Sequence, residues 1–143
     1  MIKTLYGILT VLALFVIISI TYAEGFEVYP GAKLDEQLTK ESVQQAAQAK
    51  LDTIPSIYVT DDSFDKVLAF YQGVGKEYKM PYANPGKVQR LPSGKELKVA
   101  FFIFDEANDL AGSKLWAKIQ RPLIGPGMME GPDMTVISLV KKK

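Results

Sequence analysis

The chain has 143 residues, of which 48% are hydrophobic, and its 17 basic and 16 acidic side chains leave a net charge of +1. It contains neither cysteine nor histidine, which excludes disulfides, cysteine-linked haem, the usual zinc ligands and serine–histidine or cysteine–histidine catalysis. Arginine occurs only at Arg90 and Arg121. Because no basic run is interleaved with aromatic residues, nucleic acid is not expected as a partner.

The first 23 residues have the pattern of a targeting segment. Lys3 precedes an almost wholly apolar run from Leu5 to Ile20, and the small residue Ala23 ends it, as in a cleaved signal peptide. An uncleaved membrane anchor is the alternative, because the run approaches the length of a membrane span. In both cases we expect an exported protein, either periplasmic or extracellular or anchored to the cytoplasmic membrane with its domain outside. Residues 24–143 are expected to form a single domain.

A turn and a helix are predicted next. Tyr29-Pro30-Gly31 has proline and glycine at the central positions of a type II turn. The segment from Asp35 to Leu51 is rich in Glu, Gln, Ala and Lys, which favours a helix beginning at Asp35 or Thr39. Its weak inner stripe is predicted to consist of Leu38, Val43, Ala46, Ala47 and Leu51.

The strongest pattern in the chain is a strand followed directly by a helix. The β-branched and aromatic residues from Ile57 to Thr60 predict the strand. After it, apolar residues recur at i, i+3, i+4 and i+7, which predicts an amphipathic helix. This stripe consists of Phe64, Val67, Leu68 and Tyr71, with Asp61, Asp62 and Ser63 as capping candidates and Gly73 and Gly75 at its end.

These two motifs together resemble a pattern found in small exported bacterial proteins, most of them uncharacterised. In those proteins a Tyr-Pro-Gly turn precedes a strand, a Thr-x-Asp-Ser helix start and a Val-x-x-Phe-Tyr helix. The matching positions here are Tyr29, Pro30, Gly31, Thr60, Asp62, Ser63, Val67, Phe70 and Tyr71. The resemblance implies an α+β fold and a location in the cell envelope, and it implies no catalytic residue.

The rest of the chain predicts strands. Lys76 to Gly86 is interpreted as an irregular connection. Val88–Leu91 and Leu97–Phe104 predict a hairpin, and Ser113–Arg121 is expected to pair antiparallel with Met134–Lys141. The predicted fold is therefore α+β, with an antiparallel sheet of about four to five strands and one or two helices packed on one face.

Candidate catalytic and metal sites have simpler structural explanations. Ser63 and Lys66 match the S-x-x-K pattern of serine acyl enzymes, but its companion motifs are missing and Ser63 suits a helix cap. Two acidic groups, Asp61-Asp62 and Asp105-Glu106 with Asp109, fit turn and cap chemistry, and the second fails the calcium-loop pattern. We therefore expect no catalytic residue, metal site or cofactor.

Three residues are candidates for binding. Trp116 shares a strand face with Lys118 and Gln120, and a half-exposed tryptophan there is either a binding platform or packs under the helix Asp35–Leu51. Met128 and Met129 lie in a glycine–proline loop, where they either contact a partner or tuck onto the sheet edge. Lys141, Lys142 and Lys143 are interpreted as a solubilising tail, with weak attraction to an anionic membrane as the alternative.

The sequence thus favours a non-catalytic exported module of the cell envelope that binds a partner protein, a polymer or a small ligand. Trp116, Met128 and Met129 are its candidate binding residues. The alternative is a small envelope enzyme that uses carboxylate, tyrosine or lysine groups. Contact with the membrane is expected only through residues 1–23, if they are not cleaved.

Overall fold

The computed structural model describes residues 22–23, 25–81 and 88–143. The predicted signal peptide or anchor lies outside these ranges apart from residues 22–23, as does part of the predicted connection Lys76–Gly86. Among the described residues, no helix is both long and apolar enough to cross a membrane. The elements are β1 (Tyr22–Ala23), β2 (Phe26–Glu27), β3 (Lys33–Leu34), α1 (Glu36–Gln48), β4 (Thr53–Thr60), α2 (Phe64–Val74), β5 (Lys76–Tyr78), β6 (Gln89–Arg90), β7 (Glu96–Ile103), β8 (Leu115–Arg121), a 3₁₀ turn (Pro126–Met128) and β9 (Thr135–Lys142).

The main sheet is antiparallel throughout and has the strand order β3-β4-β9-β8-β7-β5, with β6 pairing on β7. The α+β class is confirmed, as are the hairpin of β6 with β7 and the pairing of β8 with β9. There are more strands than the four to five expected, because β3, β5 and β6 have only two or three residues each. Such short strands show no alternation in sequence. The interpretation of Lys76–Gly86 as wholly irregular is wrong, since Lys76 pairs with Ile103 and Tyr78 with Phe101.

Strand pairing divides the sheet into two faces, because residues directly opposite each other share a face. The face that we call the core face carries the main apolar layer, which consists of Ala100, Phe102, Ala117, Ile119, Ile137 and Leu139. The opposite face, which we call the second face, carries the adjacent row Phe101, Lys118, Ser138 and Ile57.

Helix α2 packs on the core face through its predicted stripe. Phe64, Val67 and Tyr71 are buried, and Leu68 packs against the same cluster. Ser63 is the N-cap, because its hydroxyl accepts a hydrogen bond from the Lys66 backbone N–H at 3.2 Å. The helix ends at Gly75, where a Cβ atom would lie 2.7 Å from the Phe104 ring. Glycine is required there by close packing rather than by backbone conformation.

The segment before α1 is fixed to α2 by two tyrosines, Tyr29 and Tyr71, which we call the tyrosine clamp. The Tyr71 hydroxyl donates to the Glu27 carbonyl and accepts from the Tyr29 N–H, both at 3.0 Å. The Tyr29 hydroxyl donates to an Asp62 carboxylate oxygen at 2.7 Å. The type II turn after Tyr29 is confirmed by a positive φ of 89° at Gly31 and a hydrogen bond from the Ala32 N–H to the Tyr29 carbonyl. Burial raises the pKa of Tyr71. The hydrogen bond from the Tyr29 hydroxyl to Asp62 raises the pKa of Tyr29.

Helix α1 begins after Asp35, whose carboxylate accepts from the Leu38 N–H at 2.9 Å. It lies beside β4, where the Thr39 hydroxyl accepts from the Ile57 N–H at 2.9 Å, and its inward residues face the second face of the sheet. One helix therefore packs on each face. The predicted inner stripe of α1 is largely wrong, because Val43 is 41% exposed and Leu51 is 56% exposed, although Ala46 is buried.

Candidate functional site

The three predicted binding residues lie at two places. Trp116 is half-buried on the second face, with its ring 6.3 Å from the ring of Phe101. Met128 and Met129 are 63% and 72% exposed at the tip of their loop. They do not tuck onto the sheet, because the loop is closed by its own hydrogen bonds. The Gly125 N–H donates to the Met129 carbonyl and the Gly131 N–H to the Leu123 carbonyl, both at 2.7 Å.

The acidic residues of the turn before β8 serve the backbone. The Asp105 carboxylate accepts from the Ser113 hydroxyl at 2.9 Å and from the Lys114 N–H at 2.7 Å. Desolvation opposes its ionisation, but these hydrogen bonds outweigh desolvation and hold the pKa of Asp105 below its ordinary value. The Asp109 carboxylate accepts from the Gly112 N–H at 2.7 Å. Both carboxylates therefore act as turn-forming groups.

A cavity of about 270 Å³ lies on the second face between α1 and the loop that follows β8. One wall is formed by α1, through Leu38, Glu41, Ser42 and Gln45, and the other by the loop from Leu123 to Pro126. Its floor is formed by the central strands of the sheet, through Ile57, Lys118, Gln120, Val136 and Ser138. The cavity is thus open to solvent on one side and is lined by three parts of the chain that are far apart in sequence.

Helical and strand periodicity explain why polar groups converge here. Leu38, Glu41, Ser42 and Gln45 stand at i, i+3, i+4 and i+7, so they form one face of α1. On the floor, Lys118 is directly paired with Ser138, which places their Cβ atoms roughly 5 Å apart. Ser138 is small, and space therefore remains above it for a bound molecule.

The base of the loop wall is held by Arg121. Its guanidinium donates to the Asp133 carboxylate at 3.0 Å, to the Asp62 carbonyl at 2.9 Å and to the Thr135 hydroxyl at 3.0 Å. These bonds join the end of β8 to the start of β9 and to the capping segment of α2. The far side of the loop is fixed where the Ser93 hydroxyl donates to Glu130 at 2.6 Å. The loop wall is therefore anchored at both ends.

Lys118 is the most unusual group in the cavity. Its side chain is largely buried, and burial lowers the pKa of its ammonium group. Within the described ranges its ammonium has no hydrogen-bond or ion-pair partner. Glu41 also lines the cavity, but it is exposed and its carboxylate already accepts from the Gln37 amide at 2.7 Å. The floor of the cavity is thus positively charged.

The neutral polar groups beside Lys118 are also uncommitted. The hydroxyls of Ser42 and Ser138 and the amide of Gln45 make no side-chain hydrogen bond within the part of the chain that the structure describes. Only Gln120 is engaged, through a 3.3 Å bond from its amide to the Pro122 carbonyl. Gln45 is exposed and the two serines are half-buried, so these groups are open to solvent and available to hydrogen-bond another molecule.

A second depression of about 350 Å³ lies near the start of α2 and has a different character. It is larger, but its basic residues each lie within 4.0 Å of a carboxylate, and it contains a further acid, Glu96. Asp133 pairs with Arg121 at 3.0 Å and with Lys95 at 4.0 Å, and Lys98 lies 3.9 Å from Asp65. Because Lys118 is uncompensated and these groups are paired, we assign the candidate site to the smaller cavity.

Sequence reasoning missed the cavity residues although two signals were present. Lys118 and Gln120 were placed correctly on the face of Trp116, yet two polar residues on one face of a central strand were not interpreted as a site. The predicted inner stripe of α1 contained only apolar residues and therefore did not include the row of Glu41, Ser42 and Gln45. Polar rows on two facing elements are the signal that would have found the cavity.

Comparisons with protein-family models, with curated proteins and with solved structures find no match to the chain. The assignment of the site therefore depends on its own geometry and chemistry.

Proposed function

We propose that the protein is a non-catalytic exported module of the cell envelope that binds a small ligand in the cavity between α1 and the loop after β8. The observation that supports this proposal is the set of polar side chains on its floor and wall that have no partner in the described part of the chain. Binding sites for small molecules are concave and mostly apolar, with a few converging polar groups that orient the ligand. The cavity is concave and combines such polar groups with the apolar side chains of Leu38, Ile57, Leu123 and Val136, although polar groups form a larger share of its lining than in a typical site.

The exposure of these groups is compatible with the proposal. Lys118 and Ser138 are half-buried, and within the described residues no fully buried side-chain polar atom lacks a hydrogen-bond partner. Water therefore contacts both groups in the free protein, and a ligand that pairs with them takes the place of that water.

Filling the cavity tests the proposal. We expect that small polar fragments shift the amide NMR resonances of Gln120 and Ser138 in the wild-type protein. Ser42→Trp should abolish these shifts, because the indole occupies the cavity. Gln44→Trp is the matched control, since Gln44 is exposed on the same helix. Fragments that bind Ser42→Trp unchanged, or that shift only residues around Trp116 or Met128, would contradict the cavity assignment.

Export is tested separately from ligand binding. The sequence of residues 1–23 predicts that the mature protein begins at Glu24 and lies outside the cytoplasmic membrane. Intact-mass measurement of the protein from its native envelope checks the first residue. A membrane-bound species that retains residues 1–23 would support the anchor alternative, and a cytoplasmic protein would refute export.

One observation favours a second candidate, an enzyme that uses Lys118 as a nucleophile. A lysine whose pKa is lowered in a cavity is a typical Schiff-base former. However, such an enzyme also needs an acid that donates a proton to the substrate. Glu41 is the acid that lines the cavity, but it is exposed and hydrogen-bonded to Gln37, so it is poorly placed for this role. Borohydride reduction in the presence of pyruvate discriminates the two functions, because an added mass on Lys118 would support the enzyme.

A further inference from the structure

The charge and shape of the cavity indicate the chemical class of its ligand. We propose, on the basis of the proposed function, that the cavity binds a small monocarboxylate. Its carboxylate contacts the Lys118 ammonium and the Ser138 hydroxyl, and its apolar part packs against Leu38, Ile57 and Val136. The proposal follows from three features of the described residues, namely an uncompensated cation, a limited number of donors and an apolar surround.

The cation determines the sign of the ligand charge. Lys118 is the basic residue that lines the cavity, and it lies on the sheet floor where the effective dielectric constant is lower than in water. Glu41 carries the opposite charge and also lines the cavity, but its side chain is exposed and is screened by solvent. An anion that reaches the floor therefore gains more from Lys118 than it loses to Glu41.

The donors favour a carboxylate over a phosphate. Phosphate groups are usually held by arginine forks or by several backbone N–H groups at a helix N-terminus. The lining residues contain one lysine and no arginine, and the one first-turn residue of α1 among them, Leu38, already donates its backbone N–H to the Asp35 carboxylate. A single ammonium with the hydroxyls of Ser42 and Ser138 matches the charge and the acceptor number of one carboxylate.

The apolar surround favours a ligand with a short hydrocarbon body. Leu38, Ile57, Val136, Leu123 and Ile124 all line the cavity, and apolar contacts there contribute to affinity in proportion to the area removed from water. The volume of about 270 Å³ lies just below the range of sites that hold drug-sized molecules. A short-chain acid therefore fits better than a long fatty acid.

The test compares hexanoate with its neutral and cationic counterparts, hexanamide and hexylamine, by NMR titration of the full mature protein. We expect hexanoate to bind at least about tenfold more tightly than hexanamide, because a hydrogen bond to a charged group is worth about 1.5–3 kcal/mol. Lys118→Met should remove this preference while changing hexanamide affinity by less than about threefold. Lys114→Met is the matched control, since Lys114 is exposed just before β8, and it should bind hexanoate as the wild type does.

The outcomes separate the inference from the proposed function. If hexanamide or hexylamine binds the cavity as tightly as hexanoate, the monocarboxylate inference is overturned and the cavity remains a ligand site. If none of the three probes shifts the resonances of Gln120 and Ser138, both are overturned. The side-chain methylene resonances of Lys118 in the wild-type protein give a measurement that does not depend on how the variant folds. They should shift with hexanoate and not with hexanamide, and the absence of this difference would overturn the inference.

Discussion

Removing the hydroxyl of Tyr71 is the sharpest test of how the fold is held together. Tyr71 is 0% exposed, and its hydroxyl satisfies both the Glu27 carbonyl and the Tyr29 N–H. Tyr71→Phe leaves both backbone groups without this partner while it retains the ring that stacks on Phe26 at 5.7 Å. Each unsatisfied buried group costs about 1–3 kcal/mol. We therefore expect a loss of about 2–4 kcal/mol in the free energy of unfolding, after some relaxation of the segment.

Tyr58→Phe is the matched control. Tyr58 also belongs to the core-face aromatic cluster, with its ring 6.2 Å from Phe26, but its hydroxyl makes no hydrogen bond to the described residues. Its loss should cost less than about 1 kcal/mol. Urea denaturation followed by circular dichroism measures both variants. Equal destabilisation by the two substitutions would refute the conclusion that the tyrosine clamp stabilises the domain.

The pH dependence of stability in the wild type and in Tyr71→Phe gives an independent check. The pKa of Tyr71 in the folded protein lies above its ordinary value of 10.0 because the hydroxyl is buried. The folded protein therefore keeps this proton at pH values where the unfolded chain has lost it. Its contribution to stability is complete below pH 10 and decreases as the pH rises further. The difference in unfolding free energy between wild type and Tyr71→Phe should accordingly be constant near neutral pH and become smaller above pH 10.

Three further substitutions test other parts of the argument. Val67→Asp should destabilise the domain by about 3 kcal/mol or more, because it places a carboxylate at a fully buried position in the stripe of α2. Lys66→Asp, on the exposed side of the helix, should change the stability by less than about 0.5 kcal/mol. Similar melting temperatures for the two variants would refute the stripe assignment. Arg121→Lys should cost about 1–3 kcal/mol in urea denaturation, because lysine cannot reproduce the planar set of donors. Arg90→Lys, at an exposed position, should be nearly neutral, and equal small effects of both substitutions would show that the Arg121 network contributes nothing. Replacing Gly125–Gly131 by an Asn-Gly turn should change the free energy of unfolding by no more than about 1 kcal/mol. It should weaken fragment binding in NMR titrations, because Gly125 and Pro126 line the cavity. Unchanged binding would place the site elsewhere.

Local signals predicted the strand–helix unit and the hairpins. The stripe of α2, its Ser63 cap and the turn at Gly31 each depend on neighbours within a few residues, and all three are confirmed. Likewise, the alternation in β8 correctly placed Trp116 on the same face as Lys118. These features were predictable because periodicity and capping are properties of short stretches of chain.

Features that depend on distant pairing were not predictable in this way. The three residues of β5 become a strand only because β7 offers a free edge, and three residues cannot establish a period. Helix α1 was given the wrong inner stripe because the rule that apolar residues point inward fails where a helix lines a cavity. The Arg121 network joins residues up to 60 positions apart, so no local pattern indicates it.

Under the proposed function, the two faces of the sheet divide stability from binding. The core face is packed by α2 and by the clamped segment around Phe26, and its apolar layer supplies most of the burial that stabilises the domain. In the described part of the chain, α1 and the loop lie over the part of the second face that carries the row of Lys118 and Ser138. Because the two sets of side chains point in opposite directions from the same strands, substitutions in the cavity alter few contacts of the core. If the cavity binds a ligand as proposed, its specificity could therefore change through a few residues of β8, β9 and α1 without loss of the fold, whereas substitutions of the buried Tyr71 and Val67 are expected to destabilise the fold.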